Sequence, residues 1–161
     1  HGARPDRVEE IVAAALEISD ARLAQSGVAV EWTRPAAPVM VRGGEVRLQQ
    51  VVTNLIGNAI DAMEASAEKR LGIVIDAGGT GPVRLSVRDT GPGIDDPERI
   101  FDPFYTTKTV GQGDGMGLGL SISYGLVQSF GGAIRGANRP GGGAEFTVEL
   151  ERAAHDGARA A

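Results

Sequence analysis

Glu45-Val46-Arg47-Leu48-Gln49-Gln50-Val51-Val52-Thr53-Asn54-Leu55-Ile56-Gly57-Asn58-Ala59-Ile60-Asp61-Ala62-Met63 carries two patterns at once. Val46, Leu48, Val51, Val52, Leu55, Ile56, Ala59, Ile60 and Met63 recur at helical spacing, which predicts a helix from Glu45 to about Ala67. Between them, Gln50, Asn54, Asn58 and Asp61 stand 4, 4 and 3 residues apart. At about 100° per residue these four share one stripe roughly 60–80° wide. Asparagine is a poor helix former in an interior, and exposed helix faces normally carry Glu and Lys. Neutral amides and one acid are oxygen donors suited to Mg²⁺ and its water shell. Taken alone, the stripe is equally compatible with a solvated face.

Outward from this helix the pattern alternates between strands and helices. Asp6 and Glu9 have capping-box spacing, and apolar residues from Val8 to Leu23 follow at helical spacing, with Gly27 ending the segment. Val28–Trp32 and Val39–Val41 read as strands on either side of Pro35 and Pro38. Leu71–Asp76 and Val83–Arg88 alternate like two strands around a Gly78-to-Pro82 turn. An irregular region runs from Thr90 to about Met116, then a helix from Leu118 to Phe130, then strands Ala133–Ala137 and Glu145–Leu150. This order predicts an α+β sheet with helices on one face, in one domain over residues 1–161, with its core at about 6–151 and a frayed tail over 152–161.

Composition narrows the function classes. The 161 residues carry a net charge of −5, which argues against a nucleic-acid surface. Without cysteine there are no disulfides and no cysteine-ligated metals. No apolar run is long enough to span a membrane. His1 reads as an excised boundary, so the expectation is a piece of a larger protein. Twelve of the 24 glycines lie between Gly111 and Gly143, and glycine so concentrated in a structured chain suggests backbone that bends sharply or approaches a ligand.

Three further stretches can carry chemistry. Asp89-Thr90-Gly91-Pro92-Gly93-Ile94 places an acid at a strand end before two glycines. A surface turn has the same residue types and is the simpler account of this stretch alone. The functional account has Asp89 accepting from a ligand amino group while the glycines let backbone pass a flat ring. In Gly111-Gln112-Gly113-Asp114-Gly115-Met116-Gly117-Leu118-Gly119-Leu120, glycine at every second position suits neither strand nor helix interior. It runs into a helix whose N-terminal amides form an anion site. It is no P-loop, because no Gly-Lys-Ser/Thr follows. Phe101-Asp102-Pro103-Phe104-Tyr105-Thr106-Thr107-Lys108 puts three aromatics within five residues, either as a plug for the core edge or as the anchor of a moving loop that delivers Lys108 to a phosphate.

In this order the four stretches resemble the ATP-binding catalytic domain of sensor histidine kinases, in the group that also holds DNA gyrase, the Hsp90 chaperones and the MutL ATPases. Asn54–Ala62 is similar to the N box, Asp89–Gly93 to the G1 box, Phe101–Lys108 to the F box and Gly115–Leu120 to the G2 box; Gly143–Phe146 is similar to the closing strand motif. The resemblance covers about residues 6–151. The Thr-Thr-Lys ending of the F box, Ser121–Tyr124 and Phe130-Gly131-Gly132 look most like the C4-dicarboxylate-sensing branch.

The resemblance implies a Bergerat-type two-layer sandwich, a mixed and mostly antiparallel sheet under three helices, with ATP (or ADP) and Mg²⁺ between the layers. It implies Asn58 as the Mg²⁺ ligand, Asn54 near the phosphates and Lys108 approaching the outer ones. Asp89 would bind the adenine amino group with Gly93 beside the ring. Asp61, Ala62, Gly91, Ile94, Tyr105, Thr106, Thr107, Gly113, Gly115, Met116, Gly117, Leu118, Gly119 and Leu120 complete the implied nucleotide contacts. Ala144 stands where the family often has Thr or Ser, which removes a hydroxyl from the water network around the base. Asn54 stands where the hydrolysing cousins place a general-base Glu, and an amide takes no proton at neutral pH. Transfer to a side chain is therefore expected rather than hydrolysis. His1 and His155 are the only histidines, and neither is expected to lie in a helix beside an acid. The implied partners are a histidine-containing dimerisation domain of the parent protein and a response regulator. This domain would be cytoplasmic and monomeric, its parent membrane-anchored and homodimeric. A nucleotide-dependent interaction module without phosphotransfer, and a gyrase-type ATPase, are the alternatives.

Overall fold

The computed structural model describes residues 5–102 and 118–153. Elements run β1 (Asp6–Arg7), α1 (Val8–Ile18), α2 (Asp20–Gln25), β2 (Ala29–Trp32), β3 (Met40–Val41), α3 (Glu45–Ala62), β4 (Arg70–Asp76), β5 (Val83–Arg88), α4 (Leu118–Ser129), β6 (Ala133–Asn138) and β7 (Ala144–Leu150). Five strands form one sheet in the order β2-β4-β5-β7-β6. β2 runs parallel to β4, and the other neighbours are antiparallel. The expected α+β sandwich with a mixed, mostly antiparallel sheet is the observed one. No helix among the described residues is long and apolar enough to cross a membrane.

Period-two alternation makes the sheet two-faced. Leu71, Ile73, Val83, Leu85, Val87, Phe146, Val148 and Leu150 point inward and are buried. They meet the apolar face of α3, where Leu48, Val51, Val52, Leu55, Ile56, Ala59 and Ile60 are buried. The outer face carries a charge ladder, Arg88 on Glu145 at 2.7 Å, and Arg84 and Arg135 both on Glu149. Between them Ser86 and Thr147 share a hydroxyl hydrogen bond at 3.1 Å. α4 is tied to the start of α3 by Arg47 Nη1, which donates to Ser129 Oγ at 3.1 Å.

Three expectations are corrected. The first helix is two helices, because the backbone leaves helical geometry at Ser19 (φ −90°, ψ 1°), the one polar residue on the apolar stripe. The break leaves Ile18 exposed and turns Leu23 into the core. The capping box does not form: Asp6 pairs with Val41 in β1–β3, and Glu9 Oε1 accepts from Val39 N at 3.0 Å instead of closing on its own helix. Tertiary pairing of the chain entry has claimed both residues. α3 ends at Ala62 rather than near Ala67, where Met63 N closes back on Ala59 O at 3.1 Å.

Candidate functional site

The stripe on α3 forms as the spacing predicts, and two of its members touch. Gln50 Nε2 donates to Asn54 Oδ1 at 3.0 Å, one turn along the helix. Asn54 Nδ2 in turn donates to Ser123 Oγ of α4 at 3.3 Å, and Ser123 is fully buried. Asn58 is half-buried and has no side-chain partner among the described residues. Asp61 Oδ1 accepts from Arg22 Nη2 of α2 at 2.8 Å. The stripe thus lies between α4, reached through Ser123, and α2, reached through Arg22.

Asp89 lies just past β5, at the start of a loop that meets the C-terminal end of α3. Its side chain is 1% exposed. Two backbone amides converge on Oδ1, Gly91 N at 2.8 Å and Ala144 N at 3.2 Å. Oδ2 has no partner among the described residues. Burial pushes the Asp89 carboxyl above the usual aspartate range; the Gly91 and Ala144 amides and the Arg139 charge oppose that shift without cancelling it. The position of Ala144 therefore contributes through its backbone, which needs no hydroxyl.

The loop after Asp89 fits against the C-terminal end of α3. A Cβ on Gly91 would lie 2.8 Å from Ala62 O. Thr90 N donates to Met63 Sδ at 3.4 Å, and Thr90 Oγ1 donates to Glu68 O at 2.6 Å. Gly93 (φ +93°) and Gly143 (φ +93°) occupy the left-handed region, and a Cβ on Gly143 would run into Asp89 O. Two residues from the end of β6 complete the clamp. Asn138 Oδ1 accepts from Ile94 N at 2.6 Å while its Nδ2 donates to Ile94 O at 3.0 Å. Arg139 Nη1 donates to the Asp89 carbonyl at 3.0 Å.

Asn54, Asn58 and Asp61 thus share the α3 stripe, and Asp89, Gly91, Gly93 and Ile94 belong to the loop that meets Ala62 and Met63 at the end of that helix. Gly119 is exposed and Leu120 packs on the core in the first turn of α4. Tyr105, Thr106, Thr107, Lys108, Gly113, Gly115, Met116, Gly117 and the side chain of Leu118 lie outside the described residues. Of the F-box aromatics, Phe101 is a core plug, with its ring 5.5 Å from Tyr124 and 6.3 Å from Phe146. Arg22, Ser123, Asn138 and Arg139 are the site residues that the sequence reading missed. Asn138-Arg139 opens the Pro- and Gly-rich connection between β6 and β7, where turn chemistry already accounts for such residues, and nothing near Arg22 marks it. A separate hollow of about 730 Å³ is lined by Glu31, Arg70, Val74, Arg88 and Arg139, but not by Asn54, Asn58 or Asp61. Its arginines already hold partners: Arg70 on Glu31 and Glu68, and Arg88 on Glu145.

A family model described as histidine kinase-, DNA gyrase B-, and HSP90-like ATPase matches residues 43–154. The chain belongs to this ATPase family. Within it, this is a catalytic domain of the sensor histidine kinase type. The two-component sensor PprA of Pseudomonas aeruginosa is 42% identical over 138 residues, 82% of this chain and 15% of that protein. The C4-dicarboxylate transport sensor protein DctB of Rhizobium meliloti is 35% identical over 153 residues, 94% of this chain and 24% of that protein. Among solved structures, full-length ShkA in complex with AMPPNP superposes with a TM-score of 0.76 at 33% identity, over 96% of this chain and 32% of that one. The chain thus spans a quarter or less of the length of these two curated relatives.

Proposed function

We propose that this domain binds Mg²⁺-ATP in the α3 groove and donates the γ-phosphoryl group to a histidine on a dimerisation domain. The observation that carries this reading is Asp89, a buried carboxylate with Oδ1 fixed by two amides and Oδ2 left for a ligand, at the start of a loop that meets the end of the helix carrying Asn58 and Asn54. An adenine amino group is a donor that suits Oδ2. From Ala62 back to Asn54 the helix rises roughly 12 Å, at about 1.5 Å per residue, which allows the phosphates to extend along the stripe.

The donor set fits Mg²⁺. No cluster of three or more acidic or histidine side chains that could cage a metal exists among the described residues. Mg²⁺ commonly takes one or two protein oxygens and fills its shell with water and phosphate. The Asn58 amide oxygen, without a partner among the described residues, is suited to be that protein ligand. When bound, Mg²⁺ neutralises charge on the phosphates. Asn54 orients the groove through Ser123 and, as an amide, accepts no proton from water. The domain's contribution to transfer is then positioning and charge complementarity. Lys108 and the Tyr105–Lys108 and Gly113–Leu120 contacts remain part of this proposal on their motifs alone. A response regulator is the expected receiver downstream of the whole protein.

The test is phosphotransfer from labelled ATP to a separately made histidine-bearing dimerisation domain. Transfer is expected with the native chain and is expected to fall at least tenfold with Asn58→Ala. Undiminished transfer by the variant would remove Asn58 from the site.

A further inference from the structure

Arg22 lies outside every motif in the sequence, yet it reaches the stripe on α3. Its Nη2 donates to Asp61 Oδ1 at 2.8 Å across 39 residues of chain. Its Nη1 lies over Gly57, where a Cβ would sit 3.2 Å from it. Gly57 and Asp61 are about one helical turn apart, so the guanidinium lies along the helix surface rather than meeting it at one point. The stripe is therefore bracketed by a cation from α2 and, through Asn54, by the Ser123 hydroxyl of α4.

The pair makes little sense as a stabilising device. Its side chains are 54% and 27% exposed, and ion pairs so open to water contribute little to stability. Meanwhile α3 carries glycine, one of the poorest residues for a helix interior, at the place where the guanidinium comes down. Alanine there would crowd it. Asp61 would also repel phosphates lying along the stripe unless a cation offset its charge. A guanidinium has five N–H donors in a fixed fork, and the bond to Asp61 uses one of them.

We propose that Arg22 is a phosphate-contacting residue: Asp61 holds its guanidinium over Gly57, from where it takes the polyphosphate of a nucleoside di- or triphosphate on the α2 flank. The proposal rests on the nucleotide-binding reading of the groove and names the residue that distinguishes polyphosphate from the bare nucleoside. Asp61 then acts as a positioning residue for Arg22. Lysine is no equal substitute, because a point charge lacks the fork that meets a carboxylate and a phosphate together.

The test is calorimetric titration of the full chain with Mg²⁺-ADP and, separately, with adenosine. Arg22→Gln is expected to lose about tenfold in ADP affinity, the scale of one charge-assisted hydrogen bond, with adenosine affinity within about twofold of native and an unchanged melting temperature. Arg22→Lys is expected to fall between. Asp61→Asn is expected to weaken ADP by a smaller factor, and in the Arg22→Gln background, where its charge is no longer offset, to recover part of the loss rather than deepen it. Unchanged ADP affinity in Arg22→Gln, beside a loss in Asp89→Asn, overturns the role of Arg22 and leaves the nucleotide site standing. Equal losses for ADP and adenosine also overturn it, since a phosphate contact cannot weaken the nucleoside. A native chain that binds neither ligand overturns the groove assignment and this proposal together.

Discussion

Asp89 and Asn54, proposed to face the two ends of one nucleotide, are held by different kinds of bond. Around Asp89 the partners are mostly main chain: amides of Gly91 and Ala144 on its carboxylate, and its own N and O bonded to Ala144 O and to Arg139. Around Asn54 they are side chains, Gln50 and Ser123, and two stripe positions further along Asp61 meets Arg22. Backbone bonds inside a sheet end are fixed by the whole fold. Side-chain bonds on a helix surface are fixed only by neighbouring rotamers, and water can replace them. The Asp89 end therefore behaves as a rigid socket, the Asn54 end as an adjustable surface. Such a division suits a ligand with a flat, invariant ring at one end and a phosphate chain that shortens at the other.

The sharpest way to break that contrast is Gly143→Ala. The residue has φ +93° and faces Asp89 O, so a methyl adds both strain and a backbone clash. A loss of about 2–4 kcal/mol is expected, read as a melting temperature lower by roughly 10 °C, together with loss of adenosine binding. If the variant melts and binds like the native chain, the socket is not backbone-built.

Asp89→Asn separates the socket from the fold. Because the folded pKa is raised, the native state holds this proton more tightly than the unfolded chain does. The group's contribution to stability is full below the ordinary aspartate range and is lost as pH rises through the raised folded value. At neutral pH the buried charge is thus a cost, and asparagine removes it while its Oδ1 still accepts both amides. Stability is expected to stay level or rise, whereas ADP affinity falls about 100-fold, because an amide NH₂ would face the adenine amino group. In the native chain, adenosine affinity is expected to fall with pH somewhat above the ordinary aspartate range, as Oδ2 gains a proton. A pH-independent affinity would show that the carboxylate is not the acceptor.

Asn138→Ala tests the clamp from β6. It removes both bonds to Ile94, with an expected cost of about 1–2 kcal/mol in stability and a several-fold loss of ADP affinity, smaller than that of Asp89→Asn. An affinity loss without any change in melting would place Asn138 on the ligand rather than on the loop.

These residues also show what was legible in the sequence. The amide stripe and the Asp-x-Gly-x-Gly turn were readable because each is local: helical period and strand ending put the groups on one face before any tertiary contact forms. The inner face of the sheet was readable from alternation for the same reason. Arg22 was not, because its reach to Asp61 depends on how α2 lies against α3, which no local pattern encodes. Asn138 and Arg139 were hidden because the turn chemistry of the β6–β7 hairpin explains those residue types already. The Asp6–Glu9 box misled because β1 and the Val39 amide offered partners from distant sequence.

Gln50→Ala should have the smallest effect and bears most directly on the adjustable end. Gln50 is exposed, and its one recorded bond supports Asn54 from a turn away. Asn54 keeps Ser123 when that bond is lost, and water is free to take the vacated acceptor. A change within about 0.5 kcal/mol in stability is expected, with ADP affinity within about twofold of native. If the groove were a rigid socket along its whole length, removing one support would instead propagate to Asn54 and cost affinity on the scale of Asn138→Ala. Calorimetry on the two variants side by side decides the matter, since the same ligand reports on a bond made to main chain at one end and to a side chain at the other.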